Sequence, residues 1–72
     1  MGISYKKLWK LLIDKDMTKM DLRQATGVST ATIARMSKGE PVSMEVLMKI
    51  CKVLNCNMGD VVDVIRDNEL SI

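Results

Sequence analysis

The side chains with the most chemistry to offer lie between Thr18 and Gly39. Arg35 carries a planar guanidinium that can meet two acceptors of a planar partner at once. Thr30, Ala31 and Thr32, just before it, carry methyl groups suited to small apolar contacts. Thr18 and Lys19 stand where a helix should begin, and a helix N-terminus offers unpaired N–H groups to an anion. The Ser29 hydroxyl and the Lys38 ammonium are further phosphate partners, able to hold position without reading sequence. The chemistry is that of recognition rather than turnover.

Other chemistries fail on residue type. The chain has no His, which excludes histidine acid–base catalysis and histidine metal sites. Cys51 and Cys56 are two thiols without further ligands nearby in sequence, too few for structural zinc. Both are expected as small buried apolar residues, reduced in a cytosol. Asp14/Asp16 and Asp60/Asp63 fall at expected helix ends on solvated surface. Gly2, Gly27, Gly39 and Gly59 are too dispersed for a phosphate loop. No enzyme, cofactor, metal or small-molecule ligand is expected.

The chain of 72 residues is expected to form one small domain, 1–72, burying about 60% of its unfolded surface. Its 47% hydrophobic content is that of a globular chain. One Pro, four Gly and only Tyr5 and Trp9 as aromatics leave little room for turn-rich β structure, so the chain reads as all-α. Charge is uneven. Up to Val42 eight Lys or Arg face four acids, whereas from Ser43 onward three bases face five acids. A basic N-terminal part suits a phosphate partner. No stretch approaches the ~20 apolar residues of a membrane span, and no signal peptide is visible, so a cytoplasmic location is expected.

Five positions share one local design: a capping residue, an apolar residue just before it and another four after it. They are Ile3-Ser4-Leu8, Met17-Thr18-Leu22, Val28-Ser29-Ile33, Val42-Ser43-Leu47 and Cys56-Asn57-Val61. The polar oxygen accepts a first-turn N–H and the apolar pair staples the entry. This predicts five helices, from Tyr5 to Lys15, Lys19 to Thr26, Thr30 to Lys38, Met44 to Leu54, and from Met58 onward, with Asp67 to Ile72 fraying. Inward residues are Tyr5, Leu8, Trp9 and Leu12; Leu22 and Ala25; Ile33 and Met36; Leu47, Ile50, Cys51 and Leu54; and Val61, Val62 and Ile65. Met44, Met48, Val53 and Val64 fall off these faces and suggest a symmetric dimer surface.

Thr18, Leu22, Gly27, Val28, Ser29, Ile33, Met36 and Gly39 together resemble the helix-turn-helix of phage Cro and repressor proteins, the XRE family of bacterial regulators. Gly27 supplies the positive φ that ends the first helix, and the apolar members fix the crossing angle. The resemblance is closest to small members with a Ser-Lys-Gly-Glu run like Ser37 to Glu40. It implies a compact five-helix, lambda-repressor-like domain with its helix-turn-helix unit at 18–39. It also implies a homodimeric, sequence-specific repressor on double-stranded DNA, with Thr30, Ala31, Thr32 and Arg35 at the bases. Two such subunits would set their recognition helices about 34 Å apart, one DNA turn. Arg23 stands where the family usually has a small residue, and must direct its charge outward. The alternative is a helical protein-interaction module, such as an antitoxin, using Met44 and Met48.

Overall fold

A computed structural model describes residues 2–65. In chain order these form β1 (Gly2–Ser4), α1 (Lys6–Asp14), α2 (Lys19–Thr26), α3 (Thr30–Ser37), α4 (Met44–Leu54), a 3-10 turn (Met58–Asp60) and β2 (Asp63–Ile65). The four α-helices are where the sequence places them. The fifth helix is not: after Asn57 the chain makes one 3-10 turn and then a strand. Two local features oppose a helix there. Gly59 falls in its first turn, and Val61, Val62, Val64 and Ile65 are β-branched, which favours extended backbone.

The strand has a partner at the other end of the chain. β2 runs antiparallel to β1, pairing Gly2 with Ile65, Ile3 with Val64 and Ser4 with Asp63. The all-α expectation is therefore corrected to a helical domain with a two-stranded ribbon closing its termini. Ser4, expected to cap helix 1, lies in this ribbon. Its Oγ still accepts the Lys6 N–H at 3.3 Å, but Tyr5 holds the cap position and α1 starts one residue later than expected. The Asp67 to Ile72 tail lies outside the described residues.

Three of the remaining caps form as their residue types require, while the Asn57 side chain makes no cap bond. The hydroxyls of Thr18, Ser29 and Ser43 accept the N–H groups of Asp21, Thr32 and Val46, three residues on. Each satisfies one of the orphan donors of a first turn. Between the helices lies a core of Tyr5, Leu8, Leu12, Leu22, Val28, Ile33, Met36, Leu47, Ile50, Leu54 and Val61. Every helix contributes, α1, α3 and α4 at helical spacing and α2 through Leu22 alone, so the four pack around one interior. Ala25 and Ile65 are exposed rather than inward, and Trp9, Cys51 and Val62 are half-buried at its margin. Lys7 joins α1 to the C-terminal segment, donating to Gly59 O at 3.4 Å and pairing with Asp63 at 3.2 Å.

Candidate nucleic-acid interface

α2 and α3 are joined by a turn whose conformation is set locally. Gly27 ends α2 at φ +76°, the left-handed region, and its N–H donates to Arg23 O at 2.9 Å. A β-carbon is disfavoured there. Val28 then turns into the core and Ser29 starts α3. At the far end Gly39, at φ +75°, donates to Met36 O at 3.0 Å while Glu40 donates to Arg35 O at 2.9 Å. This is a Schellman stop, which satisfies the last carbonyls of α3. The exit is tethered from outside the motif: the buried Tyr5 hydroxyl donates to Glu40 O at 2.8 Å. Burial pushes the Tyr5 phenol upward, partly opposed by a backbone hydrogen bond from Val42.

Ile33 and Met36 fix α3 to the core, which turns the opposite face outward. Thr30, Ala31 and Arg35 are exposed. Thr32 is half-buried, and its hydroxyl lies 3.0 Å from the Ser29 hydroxyl. Of the four residues named for base contact, three are open to a partner and one is partly engaged in its own cap.

One phosphate candidate reaches farther than its place in the sequence suggests. Lys19, on the first turn of α2, reaches the last turn of α3: its Nζ donates to Ser37 Oγ at 3.0 Å. Ser37 in turn donates to Ile33 O at 3.0 Å. The same ammonium lies 4.3 Å from the ring centroid of Trp9, a distance at which the ring face attracts a cation. Lys19 is thus held beside the end of α3, next to exposed Lys38. Thr18 and Asp21 form a full capping box, the Thr18 N–H reaching Asp21 at 2.9 Å and the Asp21 N–H reaching Thr18 at 3.1 Å. These bonds to Thr18, backbone first, hold the Asp21 carboxyl below its ordinary range. The N–H groups of Lys19 and Met20 are what the box leaves for an anion.

Trp9 and Ser37 take part in this arrangement without having been singled out by sequence. Trp9 reads as a core residue by helical spacing, and only the fold puts α1 beside the start of α2. Arg23, expected to point outward, is half-buried. It donates to Met20 Sδ at 3.4 Å, and its Nε is buried without a hydrogen-bond partner.

Met44, Met48, Val53 and Val64 are all exposed, between 40% and 63%. They do not share one depression. Met48 lines a pocket with Cys51, Val53 one with Ala25 and Thr26, and Val64 one with Ile3 and Pro41.

The description of a Cro/C1-type HTH DNA-binding domain matches the chain over residues 7–67. The crystal structure of the transcriptional regulator VanUg, form II, superimposes with a TM-score of 0.88 at 52% sequence identity, covering 92% of this chain and 88% of that one. A comparison with curated proteins finds no match. On its capped helix pair, its left-handed Gly27 and this match over most of its length, the chain belongs to the Cro/C1-type helix-turn-helix DNA-binding domain family.

Proposed function

We propose that this chain is a sequence-specific transcriptional regulator that represses by occupying an operator, with α3 in the major groove of double-stranded DNA. The observation that carries the reading is the outward face of α3, where exposed Arg35 and Thr30 stand clear of a helix anchored by Ile33 and Met36. Arg35 reads guanine, and Thr30, Ala31 and, less fully, Thr32 pack on neighbouring bases. Thr18, Lys19, Ser29 and Lys38 hold the phosphates. The whole of 1–72 acts as one DNA-binding unit in the cytoplasm; among the described residues no helix is long and apolar enough to cross a membrane. The functional form is a homodimer, to which Met44 and Met48, one turn apart on α4, offer the nearest continuous apolar surface.

Selection of bound sequences from a random duplex pool tests this directly. An inverted repeat with half-sites about one helical turn apart is the expected result. Arg35→Ala relaxes preference at one base position, whereas Lys38→Ala weakens all sequences alike and lowers the salt slope by about 1. A second reading is favoured by the exposure of Met44 and Met48, at 63% and 60%: a helical module that binds another protein. No duplex affinity at low salt would decide for that reading.

A further inference from the structure

Four sulfur-bearing side chains line one surface pocket at the end of α4. Met48 and Cys51 are three residues apart on one face of the helix. Asn55 caps α4 in the left-handed region at φ 52° and turns the chain back, so that the Cys56 N–H donates to Cys51 O at 3.0 Å. That turn brings the Cys56 side chain beside Cys51, and burial, with the neighbouring Cys51 thiol, pushes the Cys56 thiol up. Met58 opens the 3-10 turn beyond. Met48, Cys51, Cys56 and Met58 line one surface pocket of about 370 Å³ with Lys52 and Asn57. Cys51, Cys56 and Met58 are half-buried, and both thiols are free.

We propose that this pocket is a binding site for a soft monovalent cation of the Cu(I) class, held by the thiolates of Cys51 and Cys56 with thioether contacts from Met58 and Met48. Thiolate and thioether donors select Cu(I) among the common metals. No carboxylate lines the pocket, so Mg²⁺ and Ca²⁺, which require oxygen, are unsuited. Zn²⁺ takes four N, S or O ligands and has no use for thioethers, and no group of three His, Cys, Asp or Glu converges among the described residues. Two thiolates around a monovalent ion leave one net negative charge, and the ion replaces the protons that burial otherwise favours at Cys56. On binding, two S–H protons pass to water and two sulfur–metal bonds form; nothing is oxidised or reduced. The ion would join the last turn of α4 to the 3-10 turn.

The test is a titration of the full reduced chain, without oxygen, with Cu(I) supplied as its bicinchoninate complex and followed by the loss of the chelator's visible absorbance. The expected result is transfer of one Cu(I) per chain, a new near-ultraviolet thiolate-to-metal band and a higher melting temperature. Transfer is lost in Cys51→Ser and in Cys56→Ser, with circular dichroism reporting that the helices persist. If either variant fails to fold, the Met48→Leu/Met58→Leu double variant, which keeps both thiols, carries the test and must hold Cu(I) more weakly. The proposal is overturned by no transfer to the wild-type chain, by equal transfer to a folded Ser variant or to the double Leu variant, or by Zn²⁺ binding as tightly as Cu(I).

Discussion

The helix-turn-helix pair and the C-terminal segment begin with one bond in common and end differently. At Thr18 an Asp three residues on returns to the cap N–H at 2.9 Å, and an α-helix follows through Thr26. At Asn57 an Asp three residues on does the same at 3.0 Å, yet only three residues of 3-10 helix follow. A cap settles where a turn starts; it does not make the turn propagate. Propagation needs residues that tolerate helical backbone and an apolar face that gains by burial. α2 has Leu22, fully buried. Beyond Asn57 come Gly59 and a β-branched run, and β1 supplies an edge for them to join.

The largest effect that would sharpen this contrast is on stability. Leu22→Ala should cost about 2–5 kcal/mol, through lost transfer energy and the cavity left behind. Val64→Thr, on the exposed ribbon, should stay within about 0.5 kcal/mol. Urea denaturation of both checks it; equal losses would mean that the ribbon is as structural as the helix pair.

Next comes recognition. Arg35→Ala should lose about 1–3 kcal/mol of discrimination at one base pair while leaving the denaturation midpoint in place, because Arg35 is exposed. Binding titrations against matched and mismatched duplexes read this out. The corresponding charge in the C-terminal half, Lys52→Ala, should change duplex specificity little.

A smaller effect separates the two caps. Thr18→Ala should cost about 1 kcal/mol, the usual worth of an N-cap with a helix behind it. Asn57→Ala should cost less, since one 3-10 turn depends on it. The comparison breaks if Asn57→Ala is the more damaging change.

The smallest effect is a pH dependence. Bonds to Thr18 lower the Asp21 carboxyl below its ordinary 3.8 in the folded chain. Its contribution is therefore present above that value and disappears as pH falls through the lower folded value. Tyr5 shows the opposite sign. Its phenol is raised above 10.0 by burial, so its contribution is intact below pH 10.0 and is lost as pH rises through the folded value. Denaturation midpoints against pH should show an acid step removed by Asp21→Asn and an alkaline step removed by Tyr5→Phe.

Much of the helix-turn-helix pair was legible because its determinants are neighbours in sequence. Thr18 and Asp21, Ser29 and Thr32, and Met36 and Gly39 are each within four residues, and each pair forms as residue type demands. The same local reading misjudged Asn57, where the return bond from Asp60 formed but the Asn57 side-chain cap and the helix did not. Gly59 and the valines carried the contrary signal. The Lys19–Trp9 and Lys19–Ser37 contacts were not legible, because they join three helices. Nor was the meeting of Met48, Cys51, Cys56 and Met58, since it depends on a left-handed Asn55 that no spacing rule requires. Val53 and Val64 were correctly exposed but stand apart from the Met48 pocket, because exposure follows from periodicity and adjacency does not.

By itself the sequence determined where α2, α3 and α4 begin and where α2 and α3 stop, because capping oxygens and left-handed glycines act over one turn of chain. Tertiary structure alone decided the pairing of Gly2 with Ile65 and the resting place of the Lys19 ammonium. Each of those depends on a partner distant in sequence, and such a partner stabilises a conformation only after the intervening chain has folded.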